Sequence, residues 1–381
     1  MSAVIRVARV VGKLEPGGAQ LALLRLSREL QRRHGVHTKL LAGDATPAGM
    51  DLARRYGLDA GVFRVSSTLH PTDNLQWQRS RRFAHWLTDK LAEAHLVHAH
   101  MVGAWWAVGQ VIDPGTPFVA TEHNEVNWAR RKVSSLRPVA TRIDRFYAMG
   151  PAASRFARAA GVRPDVLKQG RSPIEGLRSR PRLGLGSPRL TFAGRLSWDK
   201  GPDVLVEAIS LLNRGDLFAY LLGDGPLRPL LTARIKERSL SDRVLLTGWV
   251  GNPGTYIAGS SVHVVPSREE AWSQSAVLAL GLGVPVVGTR VDGLVTTLAH
   301  GRGITVSPDN PAALCAAIDD ALAGRSPVDT RAAIGYARQF SAARVSDFYA
   351  AEYGELLAVE ASRQASVGVG AEPIPSVRYR R

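Results

Sequence analysis

Twice along this chain, short β-branched runs alternate with amphipathic helical stretches, and the second series begins where the first has ended. The opening VIRVARVV reads as a strand, PGG as a turn, and AQLALLRLSRELQRR as a helix with apolar residues at Leu21, Leu24 and Leu30. HTKLLAG, GVFRVSS, HLVHAHM, PFVATEH and RFYAMG follow as strands or strand ends. From Leu190 a second set appears: RLTFAGRL, FAYLLGDG, RVLLTGWV, SVHVVPS and VPVVGT. Strands separated by helices demand parallel pairing through crossovers, so each series predicts a doubly wound α/β sheet. A chain of 381 residues exceeds one ordinary core and suits two domains. The expected boundaries are 1–172 and 189–341, joined by a 173–188 linker in which QGRSPIEGLRSRPRLGLGSP is dense in Gly, Pro, Ser and Arg. A last helix over 342–362 carries Val345, Phe348, Tyr349, Tyr353, Leu356 and Leu357, and the aperiodic tail 363–381 reads as disordered. In doubly wound sheets ligands bind beyond the carboxyl ends of the strands, so two such domains predict a ligand cleft between them.

Composition narrows the class. No apolar run reaches the roughly 18 residues that span a bilayer, and the N-terminus has too short an apolar run for a signal peptide. The single cysteine, Cys315, excludes an internal disulfide and fits a reducing compartment; it lies in the helical PAALCAAIDDALAG and reads as core. The expected location is therefore cytoplasmic, free or peripheral to the inner face of the membrane. The net charge of +16 is unevenly spread: residues 1–172 carry 26 basic and 13 acidic residues, the remainder 23 and 20. A codon bias toward arginine acts on both halves alike, so the excess in the first half predicts an anionic acceptor or an anionic membrane surface. The segment Gln76–Leu91 offers Phe83, Trp86, Leu87 and Leu91 at helical spacing, for core packing or for lipid. Basic residues are not interleaved with aromatics, so nucleic acid is not an expected partner.

The residues that carry chemistry fall at strand ends. In PSREEAWSQSAVLALGLGVPVVGT a strand ends at Pro266–Ser267, Glu269 and Glu270 occupy a short loop, and a helix starts near Ser273. The backbone donors of Ser273, Gln274 and Ser275 then suit a phosphate, and Glu270 suits sugar hydroxyls. In FAGRLSWDKGPDVLVEA, Arg195 follows a strand and Lys200 precedes a helix near Pro202–Asp203, two cations placed to clamp a diphosphate. Gly17 and Gly18 allow close backbone approach at the first turn, and VLLTGWVGNP offers a loop for a base. His95, His98 and His100 cluster in HLVHAHM without a carboxylate or cysteine to complete a metal set, and His123 ends a strand beside Glu122.

Taken in order, PGGAQ, FAGRLSWDKG, LLGDGP, LLTGWV, PSREEAW…GVPVVGT and the helix FSAARVSDFYAAEYGELL resemble glycosyltransferase family four, the retaining group with the GT-B fold, over nearly the whole chain. The resemblance implies two Rossmann-like domains, an N-terminal one for the acceptor and a C-terminal one for the nucleotide-sugar, with the final helix crossing back onto the first. It implies a nucleotide-sugar donor (uridine diphosphate first, deoxythymidine diphosphate second), no metal, and transfer of a sugar to an acceptor hydroxyl. By position, Arg195 and Lys200 hold the diphosphate, Glu270 and His123 contact the sugar, and Gly17–Gly18 approach the phosphates. Ser275 and Ala276 offer backbone donors, while Trp249 and Val250 lie near the base. Two departures stand out. The family's second carboxylate, which grips the ribose, falls on Leu278, and in VDGLVTTLAHGRG Asp292 and Thr296 replace a glycine and a glutamate. Leu278 is expected to border the ribose outside the core, on the face of Gln274 and Ser275, and to weaken discrimination against 2′-deoxyribonucleotides. A catalytically degenerate nucleotide-binding or partner-assisting protein, and epimerase or phosphorylase chemistry on the same fold, remain as alternatives.

Overall fold

The computed structural model describes residues 4–66, 76–123, 130–181 and 188–366. The chain divides into two compact units, one of residues 1–173 with 342–381, the other Ile174–Ser341.

In unit 1, seven strands form one sheet: β1 (Arg6–Leu14), β2 (His37–Ala45), β3 (Ala60–Val62), β4 (Leu96–His100), β5 (Phe118–Glu122), β6 (Arg145–Ala148) and β7 (Leu167–Gln169). Their order is β3-β2-β1-β4-β5-β6-β7 and every pairing is parallel. Helices cover both faces, so the central strands are buried along their whole length; β4, β5 and β6 expose nothing. That burial makes the polar residues in these strands conspicuous: Arg9, His98, His100, Thr121 and Glu122 all sit in the interior.

The helix Gln76–Leu91 packs against Val102–Val111, and Phe83, Leu87 and Leu91 are buried in the core with Trp86 partly so. Its apolar stripe at Phe83, Leu87 and Leu91 is core. The last helix, Ala342–Ser366, lies against Gly18–His34 and buries Val345, Tyr349, Tyr353, Leu356 and Leu357 with Ile5, Val7, Leu26 and Leu30. Full burial of side chains of this size stabilises by about 1.5–3 kcal/mol each, enough to hold a helix that lies 300 residues along the chain from its neighbours. Helix continues through Ser366, so the first residues of the expected 363–381 tail are ordered; residues 367–381 lie outside the described residues.

Unit 2 repeats the plan with six strands: β8 (Arg189–Ala193), β9 (Phe218–Leu222), β10 (Val244–Gly248), β11 (Val262–Val265), β12 (Val286–Thr289) and β13 (Ile304–Val306). The order β10-β9-β8-β11-β12-β13 is again parallel throughout. Renumbered from one, it is the 3-2-1-4-5-6 order of a dinucleotide-binding fold. Part of the expected linker belongs to this unit. Ile174 bridges to Ser341 and donates its N–H to the Phe340 carbonyl, and Leu177 packs on the apolar cluster around Val277 and Ala279. Residues 182–187 lie outside the described residues. No helix among the described residues is long and apolar enough to cross a membrane.

Candidate functional site

In each sheet the connections leave in opposite directions from two adjacent strands, β1 and β4 in unit 1 and β8 and β11 in unit 2. The crevice outside their carboxyl ends is where ligands settle in such folds. In unit 2 the segments beyond those two strands are the ones carrying Arg195–Lys200 and Ser267–Glu270.

The first of these runs from β8 through exposed Arg195 into a single 3-10 turn, Trp198–Lys200, and then the helix Pro202–Leu211. Gly201, at the junction, has φ +63, and a Cβ there would lie 2.1 Å from the Pro266 carbonyl oxygen. Only glycine permits both the backbone turn and this contact, which brings the lysine turn down on the end of β11. Lys200 Nζ then donates to Glu270 Oε2 at 3.1 Å and to the Glu269 carbonyl at 3.4 Å, with Asp199 Oδ2 3.5 Å away. Burial acts to lower the Lys200 pKa, but the charges and hydrogen bonds of Glu270 and Asp199 outweigh it and leave it raised. Lys200 is thus a fixed cation, and Glu270, also within 3.4 Å of Ser267 Oγ, is held in one place.

Between Ser267 and Glu269 stands Arg268, which was not singled out from the sequence. Its guanidinium meets Asp203 through two parallel bonds, Nη1–Oδ1 at 2.9 Å and Nη2–Oδ2 at 2.8 Å. Nε donates to Asp309 Oδ1 at 2.6 Å and Nη1 to the Trp198 carbonyl at 2.7 Å, while the indole of Trp198 covers the group at 5.0 Å. The amides of Arg268 and Glu269 both donate to the Asp199 carbonyl. Burial favours the neutral Asp203 acid, yet the hydrogen bonds and charge of Arg268 prevail and hold its carboxyl below the usual range. The bond to Asp203 in turn raises the Arg268 pKa. Behind Glu270, its carbonyl accepts from Gly293 N at 2.8 Å; a Cβ on Gly293 would lie 2.1 Å from the Ala271 carbonyl oxygen.

The helix that follows is Gln274–Gly281, with Ser273 as its N-cap. The Ser273 hydroxyl accepts from Ala276 N at 3.3 Å, so the Ala276 amide, expected as a phosphate donor, bonds the cap residue in this structure. Gln274 and Ser275 remain partly exposed at the helix start. Leu278 corrects a second expectation. It is 6% exposed and lies in the apolar cluster with Ile174, Ile257 and Val277, not at a nucleotide-facing border. The reason is the stretch from Ile174 to Leu177, which folds back over this helix and brings Gly176 against Leu278. Trp249 and Val250 follow β10, two strands away from β8; Trp249 is half exposed.

In unit 1, Gly17 is the N-cap of the helix Gly18–His34, with no side chain closing the helix start. His123 directly follows β5; its amide donates to Glu122 Oε1 at 3.1 Å, and Trp105 Nε1 donates to Glu122 Oε2 at 3.3 Å. Burial pushes the His123 pKa down to about 4, so the ring is neutral at physiological pH. Its Nε2 has no hydrogen-bond partner among the described residues. Beside it, 6.0 Å away and nearly parallel, lies the ring of His100. His98 and His100 both face the Arg9 guanidinium, at 3.2 and 3.3 Å. A metal shared by the two histidines would confront that charge directly.

Comparison with known proteins agrees with this geometry. Residues 16–170 match the model of Glycosyltransferase Family 4, and residues 187–324 that of Glycosyl transferases group 1. The chain is 28% identical over 272 residues to the 2-deoxystreptamine glucosyltransferase of Streptomyces kanamyceticus, covering 62% of this chain and 70% of that one. It is 27% identical over 361 residues to the 2-deoxystreptamine N-acetyl-D-glucosaminyltransferase of Streptomyces fradiae, covering 80% and 82%. Among solved structures, Anabaena HepE in complex with UDP and glucose superposes with a TM-score of 0.76 at 18% identity, covering 92% of this chain and all of that one. With both units matched in order and both sheets wound as that fold requires, the chain belongs to glycosyltransferase family four and has its two-domain GT-B fold.

Proposed function

We propose that the chain transfers a hexose, with retention of configuration, from a uridine diphosphate sugar to the hydroxyl of an acceptor. The observation that carries this reading is the Lys200–Glu270 pair at the strand crossover of unit 2, locked by Arg268 and Asp203. A protonated lysine and a positioned carboxylate 3.1 Å apart offer one group to a phosphate and one to a sugar hydroxyl. Arg195 adds a second cation on the same segment. In the reaction the bond from the anomeric carbon to the phosphate oxygen breaks and a bond to the acceptor oxygen forms on the same face. The acceptor proton passes to the departing phosphate. Charge builds on that phosphate, and Lys200 and Arg195 stabilise it as it builds, the role a metal serves elsewhere. His123, neutral and with a nitrogen that has no partner among the described residues, is suited to a sugar hydroxyl. The uridine nucleotide and hexose are supported by the ligands of HepE and the names of the two streptomycete relatives. The basic excess of residues 1–172 supports an anionic acceptor.

The test is incubation with a panel of UDP- and dTDP-hexoses, following nucleoside diphosphate release and the anomeric configuration of the product. Release from a UDP-hexose with an unchanged anomer supports the reading. Inversion of the anomer overturns retention, and release from dTDP-hexoses alone overturns the uridine donor.

A further inference from the structure

We infer that His100 and the uncapped start of the helix Val102–Val111 form an oxyanion-binding subsite in unit 1. Arg9 is fully buried. Its Nη1 lies 3.2 Å from His98 Nδ1 and 3.3 Å from His100 Nε2, and its Nη2 donates to Tyr353 Oη at 2.9 Å. A guanidinium only donates, so both ring nitrogens facing it must be acceptors. His98 therefore carries its proton on Nε2, where Thr121 Oγ1 receives it at 2.7 Å. His100 carries its proton on Nδ1, and that atom is buried with no partner among the described residues. Burial, with the neighbouring charges adding to it, holds both rings well below the ordinary histidine pKa and so neutral, as this pattern requires.

Three further features point to an anion as the missing partner. Within the described residues the hydrogen-bond partners of Arg9 are neutral and no carboxylate pairs with it; besides them it has the face of the Tyr353 ring, 5.8 Å away. An oxygen accepting from His100 Nδ1–H would complete a chain, oxyanion to imidazole to guanidinium, in which every donor points the same way and each bond polarises the next. His100 is also the last residue of β4, immediately before Met101, whose φ of +68 and ψ of 152 are rare for a side-chain-bearing residue. The Met101 carbonyl takes the amides of Ala104 and Trp105, but its side chain makes no cap bond, which leaves the amides of Val102 and Gly103 without a backbone partner among the described residues at the helix start that follows the histidine. The place is the β1–β4 crossover of unit 1, the counterpart of the β8–β11 crossover that holds Lys200 and Glu270.

The transferase reading enters only in naming the anion's source: the acceptor's own anionic group, or the donor diphosphate. The test uses the full chain with 15N-labelled histidine and long-range 1H–15N spectra, the His100 signals being assigned by their loss in His100→Asn. Free protein should show His100 neutral and protonated on Nδ1. Inorganic phosphate should shift that nitrogen saturably, and glucose should not. His100→Phe should weaken phosphate binding at least tenfold, and His100→Asn, which keeps a donor, by less. Repeating the titration under saturating UDP separates the sources: undiminished phosphate binding assigns the acceptor's anion, competition the donor diphosphate. Protonation on Nε2, a response to glucose without one to phosphate, or unchanged phosphate affinity in His100→Phe would each overturn the subsite. None of these readouts depends on sugar transfer, so the subsite and the transferase reading stand or fall separately.

Discussion

Arg268 and Asp203 meet through two parallel hydrogen bonds of 2.9 and 2.8 Å, and so tie the loop bearing Glu270 to the first turn of the helix behind Lys200. Both side chains are largely buried, 10% and 15% exposed. Together they set the distance between Lys200 and Glu270, the two groups proposed to meet the donor. They are positioning residues.

The pair should behave as a unit. Removing Arg268 leaves the largely buried Asp203 charge without its partner and costs up to about 3–5 kcal/mol, whereas removing the Asp203 charge leaves Arg268 with Asp309 and costs less. Arg268→Met should lower the urea midpoint more than Asp203→Asn, while the double variant should lose clearly less than the two together. Strict additivity would mean that the two residues act independently.

Lys200 and Arg195 should matter to turnover more than to folding. Loss of a charge contact of this kind in the transition state costs about 2–4 kcal/mol, roughly a 30- to 1000-fold fall in kcat. Lys200→Met should show that fall with a much smaller change in KM and, because it leaves Glu270 without its cation, a measurable loss of stability as well; Arg195→Ala should lose at least tenfold with a near-parental unfolding curve. Parental turnover in both variants would remove the diphosphate clamp from the mechanism.

Much of this was legible in the residues. Alternating β-branched runs and helical stretches are a local signal, so both parallel sheets could be read, as could Lys200 and Glu270 at their strand ends. Arg268 could not. Between a serine and two glutamates it reads as a surface residue, and its partner Asp203 stands 65 positions away. They meet because β8 and β11 are neighbours in the sheet, which no local pattern encodes. Arg9 was hidden for a similar reason: within VIRVARVV it counts as one polar break in an apolar run, and its partners come from β4 and the final helix. Leu278 misled in the opposite sense. Counting along the helix from Glu270 gives its position but not what covers it, and the cover comes from the 174–177 stretch assigned to a linker.

The burial of Leu278 changes what a carboxylate at that place would do. Leu278→Ala should cost about 2–5 kcal/mol, as for a leucine in a packed interior. Leu278→Glu should cost more, because the acid would be placed among Ile174, Ile257 and Val277 without a partner. Urea denaturation of both variants checks the order. A stable Leu278→Glu protein that prefers UDP over its 2′-deoxy form by tenfold or more would instead place this position against the ribose.

Acid sensitivity of unit 2 should trace to His263. The residue is fully buried on β11, with Thr191 Oγ1 3.0 Å from Nδ1 and no partner on Nε2 among the described residues. Burial pushes its pKa down to about 3, against about 6.5 in an unfolded chain. The unfolded state therefore binds the extra proton first as pH falls. The stability linked to this group is complete above pH 6.5 and declines from there toward pH 3. Between pH 7 and pH 5 one such histidine costs about 2 kcal/mol. His263→Gln, which keeps an amide for Thr191 and does not titrate, should lose correspondingly less stability over that interval than the parent. Urea titrations of the two proteins at pH 7 and pH 5 measure the difference, and an identical pH dependence would show that His263 does not carry it.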